Sequence, residues 1–196
     1  MAGLGTKHRA IVVASVAFAE QGVAATSLDD LARRLGVTKQ AILYHFGSKQ
    51  QLVAEVLAAA AGDLAEVLGR ARLASRPGWP RVEAVVRQVF ALGLARPELL
   101  ALLRELNRMS PEATAPVRHA LQPLVDAAVA DLSAGMADGR FRPSDPRMVL
   151  VAAYGAVTGA VVDTVALGAV GLELDVRMAA RLRRAVLDFL RAALVG

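Results

Sequence analysis

The chain has 196 residues, a net charge of +5 and no cysteine. That length leaves room for a sizeable core in one domain or two, the charge suits an anionic partner, and disulfide frameworks and thiolate chemistry are excluded. Hydrophobic residues make up 55% of it but aromatic residues only 4%, and the abundance of Ala, Leu, Val and Arg favours helix over sheet. Three scattered histidines make no metal site, so an all-α protein without a cofactor is expected.

The first predicted helix runs from Thr6 to Gln21 and stops at Gly22, with Ile11, Ser15, Phe18 and Ala19 on its packing side. Lys7, His8 and Arg9 fall at its start, where they either reach phosphates or form a solvated terminus. Basic residues ahead of an apolar run also begin a signal peptide, but Glu20 and Gln21 fit an amphipathic helix, and a cytoplasmic protein is expected.

Residues 26–52, TSLDDLARRLGVTKQAILYHFGSKQQL, carry the most information. Thr26 or Ser27 can cap a helix whose first turn holds Asp29 and Asp30 and whose Leu28, Leu31, Ala32 and Leu35 share one face. Gly36 closes that helix, Val37 plugs the turn and Thr38 caps the next, about Lys39 to Phe46. In this second helix the spacing groups Ala41, Ile42, His45 and Phe46 as the packing side and presents Lys39, Gln40, Leu43 and Tyr44. Gly47 ends it, and Ser48 with Gln51 forms an S-x-x-Q capping box that starts a further helix at once. Helix, glycine turn, helix is the helix-turn-helix pattern, whose second helix enters the DNA major groove; it is also the pattern of plain helical hairpins.

The helix from Ser48 continues through Leu52, Val53, Val56, Leu57, Ala60 and Leu64 towards Ala74, and links the N-terminal unit to the rest. Later helices are predicted over 80–95, 97–109, 116–137, 146–167 and 175–194, making about nine, with a kink or restart near Gln122 because Pro123 lacks an N–H. Asp145 and Asp175 begin the last two. The apolar stretch 148–172 is long enough to raise a membrane span, but without an aromatic belt it reads as a buried helix. Gly155 and Gly159 allow close approach by another backbone, and the two long terminal helices suit a dimer interface or an intrachain core.

With these elements placed, the N-terminal sixty residues, and GVTKQAILYHFGSKQQL above all, resemble the TetR family of one-component transcriptional regulators. The resemblance implies an all-α homodimer: a three-helix helix-turn-helix domain over residues 1–50 that binds double-stranded DNA, and a helical domain over 51–196 that binds a small-molecule effector and dimerises through the eighth and ninth helices. It implies Thr26 and Thr38 as caps that also touch phosphates, and Lys39 and Gln40 as base-edge contacts. Tyr44 and His45 fall at the aromatic end of the recognition helix, and Lys49 at the helix start that grips the backbone. Leu43 stands where the family usually has Tyr, which exchanges a phosphate contact for an apolar contact to a thymine methyl. His45 has a second reading as a buried packing residue, and the face assignment favours it.

For the effector pocket the sequence offers Phe90, Leu94, Leu103, Met109, Met136, Tyr154 and Thr158, drawn from helices that would line it, and their apolar character points to an apolar effector. The function expected is a repressor of a pseudo-palindromic operator, released by that effector. The alternatives are a helical bundle with enzymatic activity, for which no catalytic constellation has supporting context (Arg104 and Glu105 read as a surface pair), or a membrane-associated protein using 148–172.

Overall fold

The computed structural model describes residues 5–95, 110–162, 164–173 and 175–195, apart from the side chains of 161, 162 and 164–166. The described residues form nine α-helices and no strand: α1 (Thr6–Gln21), α2 (Leu28–Leu35), α3 (Lys39–Phe46), α4 (Lys49–Leu73), α5 (Trp79–Ala95), α6 (Ala115–Ala137), α7 (Pro146–Val162), α8 (Thr164–Ala169) and α9 (Val176–Leu194). The helix expected over 97–109, with Leu103, Arg104, Glu105 and Met109, lies outside the described residues. No described helix is long and apolar enough to cross a membrane; within 148–172, α7 ends at Val162.

Two compact units emerge, one from the described parts of Met1–Leu64 and Glu98–Leu121, the other from Ala65–Pro97 and Gln122–Gly196. The first reaches past residue 50 because the start of α4 supplies Leu52, Val53, Val56, Leu57 and Ala61 to the same core as Phe18, Leu31, Ile42 and Phe46. In α1 the buried face is Ala10, Ala14, Ala17 and Phe18; Ile11 and Ser15 are half-buried and Ala19 is exposed. This corrects the face read from the sequence, which followed helical spacing from Ile11. Small alanines let α1 come close to α2 and α3, and the larger aliphatics flank that seam.

In the second unit α5, α7 and α9 pack on one another, and Leu132, Phe141 and Leu194 are buried with Trp79, Val82, Met136, Val149 and Leu150 against them. Phe141 lies on Gly135 of α6, where a Cβ would collide with its ring. Asp145 caps α7 by accepting from the Arg147 amide at 2.8 Å, and Asp175 caps α9 by accepting from Met178 at 2.6 Å. Helix α6 runs through Pro123 without the restart expected at Gln122. The ring removes one ladder bond, and the turns on either side continue the helix.

A half-buried ion network ties α4, α5 and α6 together within this unit. Asp131 accepts from Arg72 Nε at 2.5 Å and Nη2 at 3.0 Å, and from Arg81 Nη1 at 2.6 Å. Burial alone would raise its carboxyl, but the bonds from the two guanidinium groups outweigh that and hold it below its ordinary value of 3.8. A carboxyl lowered in the folded state contributes stability that is complete above the unfolded value and lost as pH falls through the folded one. Asp131→Ala is therefore expected to reduce the unfolding free energy by about 1–3 kcal/mol at neutral pH. The difference from the wild type should shrink in urea titrations taken below a pH of about 3.8.

Candidate nucleic-acid interface

The N-terminal unit holds α3 by its two ends and one face. Ser27, not Thr26, caps α2: its hydroxyl accepts from the Asp30 amide at 3.1 Å, while the Asp30 carboxylate accepts from the Ser27 amide at 3.2 Å and hydroxyl at 2.5 Å. The bonds from Ser27, with a smaller contribution from the Arg33 guanidinium, hold the Asp30 carboxyl below its ordinary value. At the other end Gly36 takes the left-handed conformation, φ 67°, and the Val37 amide reaches back to the Ala32 carbonyl at 3.1 Å. The turn is complete there, and Thr38 starts α3 by accepting from the Ala41 amide at 3.2 Å.

Ile42 and Phe46 are buried and fix the rotation of α3, with Ala41 and Leu43 half-buried beside them. Lys39, Gln40, Tyr44 and His45 are exposed together with Thr38, and Tyr44 is 86% exposed. The rings of Tyr44 and His45 meet edge to face, 5.3 Å between centroids. After Gly47, the Ser48 hydroxyl accepts from the Gln51 amide at 3.1 Å, one half of the expected capping box, and opens α4 beside Lys49.

Three expectations change. Thr26 is buried, 1% exposed, and its hydroxyl donates to the carbonyls of Gly22 at 2.9 Å and Ala17 at 3.3 Å. Its side chain ties α1 to the start of α2 and is not offered to a phosphate. His45 is exposed and not the buried packing residue the spacing favoured, because Ile42 and Phe46 alone fill the contact and the rest of that face turns outward. Leu43 packs partly against the core of the unit and is less fully presented than its spacing implied.

The basic residues are distributed as follows. Lys7 Nζ bonds Glu55 at 2.9 Å and lies over the Phe46 ring, Arg9 donates to the Leu35 carbonyl at 3.3 Å, and Lys49 Nζ reaches the Ala24 carbonyl at 3.4 Å. Lys39 Nζ bonds Asp29 at 2.9 Å, a pairing that the sequence reading missed because it treated Asp29 only as a first-turn acid. The i, i+10 separation across a glycine turn is the signal that could have found it.

The residues expected to line an effector pocket differ in their environments. Phe90 is buried and Met136 half-buried, Leu94 and Tyr154 are exposed, and the Thr158 hydroxyl donates to the Tyr154 carbonyl at 2.7 Å; Leu103 and Met109 lie outside the described residues. A groove of about 180 Å³ between α5 and α9 is instead lined by Trp79, Arg87, Arg183, Arg184 and Arg191 among others. Among the described residues no group of three His, Asp or Glu could hold a metal ion.

The burial of Thr26 yields a test. Thr26→Val is expected to destabilise the chain by about 1–2 kcal/mol, since the Ala17 and Gly22 carbonyls lose the buried hydroxyl that donates to them. It should leave the slope of log affinity for duplex DNA against log salt unchanged; if the hydroxyl held a phosphate, its removal would flatten that slope by about one.

Residues 10–56 match the family model described as bacterial regulatory proteins of the tetR family. Over 53 residues the chain is 42% identical to the HTH-type transcriptional regulator SrpR of Pseudomonas putida, a match that covers 27% of this chain and about a quarter, 25%, of SrpR. The fold of the whole chain is similar to that of a protein of unknown function from Rhodococcus sp. RHA1, at 25% identity and TM-score 0.81, covering 100% of this chain and 98% of that one. It is also similar to the transcriptional regulator FadR of Bacillus subtilis solved in complex with stearoyl-CoA, at 19% identity and TM-score 0.77, covering 93% and 96%. The capped helix pair and the buried anchors of α3 fall within residues 10–56, so it is this N-terminal part of the chain that is similar to the helix-turn-helix of the tetR-family regulators.

Proposed function

We propose that the protein is a ligand-responsive repressor that binds a pseudo-palindromic operator as a homodimer and is released by a small apolar effector, acting in the cytoplasm by binding and not by turnover. The observation that carries this reading is the exposed edge of α3, where Thr38, Lys39, Gln40, Tyr44 and His45 stand clear of a helix anchored by Ile42 and Phe46. Lys39 and Gln40 at its N-terminal end are the base readers, since a recognition helix meets base edges with its first residues. Tyr44 and His45 offer aromatic rings and polar tips to the groove wall, and Lys49 at the start of α4 contacts the backbone. Leu43 adds an apolar margin next to a thymine methyl.

In this reading residues 1–50 contact DNA, and residues 51–196 bind the effector and dimerise. Dimerisation is supported by α7, on which Met148, Val151, Gly155 and Gly159 fall at i, i+3, i+7 and i+11, with Tyr154 at the margin. Met148 is 62% exposed, Val151 64% and Tyr154 64%, and a Cβ at either glycine would meet nothing within 4 Å. An apolar helix face with room for a second backbone fits a second copy of the chain, with Phe189 of α9, 60% exposed, contributing beside it. Two recognition helices would then enter successive major grooves, about 34–36 Å apart.

The effector class is supported by the apolar residues Phe90 and Met136 in the second unit, and by the likeness in fold to FadR, which is solved with stearoyl-CoA. Release requires the effector to prefer a form in which the recognition helices are spaced wrongly for the operator, with α4 carrying the change.

Lys49→Ala is expected to weaken binding to every duplex and flatten the salt slope by about one, whereas Gln40→Ala should cost about 1–3 kcal/mol on the cognate site and relax preference at one base pair. Salt-titrated binding that neither substitution alters would remove the assignment of α3 and α4 to DNA. Val151→Arg should shift the sedimenting species from dimer to monomer while far-ultraviolet circular dichroism stays helical; an unchanged dimer would move the interface elsewhere.

A further inference from the structure

The four carboxylates among residues 5–60 are each taken by one cation: Glu55 by Lys7, Glu20 by Arg34, Asp30 by Arg33 and Asp29 by Lys39. Three of these pairs include no residue of α3. The fourth involves Lys39, the one lysine or arginine of α3 and the first residue of the helix. Asp29 sits in the first turn of α2, where the helix dipole favours a carboxylate, and the Ser27–Asp30 capping box holds that turn in place. Asp30 is committed to Ser27 and Arg33, which leaves Asp29 to face Lys39 across the Gly36 turn at 2.9 Å.

We propose that Asp29 is a specificity-determining residue, which holds the Lys39 ammonium back from DNA phosphates and directs it to base edges. The proposal rests on the reading of α3 as the DNA-contacting helix. An ammonium carries three donors, so Lys39 can donate to the O6 and N7 of a guanine, both uncharged acceptors, and still keep its bond to Asp29. A phosphate offers no such sharing. It brings a second anion beside the Asp29 carboxylate, and Lys39 must give up one partner to gain the other while the two anions repel. Side-chain exposures of 47% for Lys39 and 64% for Asp29 keep the pair weak enough to exchange, so Asp29 tilts the competition without locking it. The penalty falls on binding at sites that offer only backbone, which is the sequence-independent component of affinity.

The test uses the full chain with two probes, poly(dA-dT), which lacks the O6 and N7 acceptor pair of guanine, and the best-bound duplex recovered from a randomised pool. Asp29→Asn is expected to tighten binding to poly(dA-dT) by about three- to tenfold and to steepen its salt slope by about one, as one more cation reaches a phosphate. Affinity for the selected duplex should change less, so the ratio between the two falls. On a Lys39→Ala background, Asp29→Asn frees no cation and should leave the salt slope unchanged; with Lys39 present, Asp29→Glu, which keeps the carboxylate, should keep the wild-type ratio. Equal steepening in both backgrounds would make Asp29 a source of plain repulsion and overturn the proposal, as would an unchanged ratio in Asp29→Asn. If Lys39→Ala alone alters binding to neither probe, the assignment of α3 to DNA fails first, and the role of Asp29 falls with it.

Discussion

The burial of Ile42 and Phe46 beneath α3 is the contact on which the N-terminal unit depends. A helix of eight residues does not hold itself together in water, because nucleation is unfavourable and few ladder bonds offset it. Its form and its aim come from elsewhere: Thr38 and Gly47 close its ends, and two large apolar side chains lock its rotation against Phe18, Leu31, Leu52 and Val56. Because the anchors are only two, most of the circumference is left free, and Lys39, Gln40, Tyr44 and His45 can change without disturbing the core. Anchoring and reading are thus separated within a single short element.

The electrostatics of this unit are equally local. The cations of residues 5–60 are engaged nearby, by Glu20, Asp29, Asp30 and Glu55 or by backbone carbonyls, so that part of the surface is less of an open positive field than its composition implies. Such a surface gains less from counterion release at arbitrary sequence and must take more of its affinity from geometry. In the second unit the half-buried Asp131 network has another task. It joins the end of α4 to α5 and α6 through one carboxylate that serves two arginines, so its loss strands both.

Much of the fold was legible in the sequence where punctuation is local. Gly22, Gly36 and Gly47 end α1, α2 and α3, and Asp145 and Asp175 stand at the starts of α7 and α9, because caps and left-handed stops depend on a few adjacent residues. Faces were harder. The periodicity of α3 groups His45 with Ile42 and Phe46, but only tertiary packing decides how wide the buried stripe is, and here it is two residues wide. In α1 the buried stripe is made of alanines, which carry little hydrophobic signal, while Val12 and Val16 are 49% exposed. Thr26 and Ser27 are interchangeable as caps on paper; the return of the chain from α1 puts the first inside and the second at the helix end. A pocket lining of the kind proposed is illegible in sequence because an apolar residue facing a pocket and one facing a core obey the same pattern.

The alanine seam of α1 also sets the mechanics of the reader. Ala14 and Ala17 are fully enclosed, and a methyl group has no alternative rotamer through which to yield. Where bulkier cores can absorb a small displacement by re-sorting side chains, this one brings backbone close to backbone and behaves as a stiff block. Leu52 and Val56, from the first turns of α4, belong to the same core, so a displacement of those turns would carry α1, α2 and α3 with it. In the proposed dimer the exposed edge of α3 would keep its shape while its position changes, and a shift in position is what a pair of grooves at fixed spacing would detect.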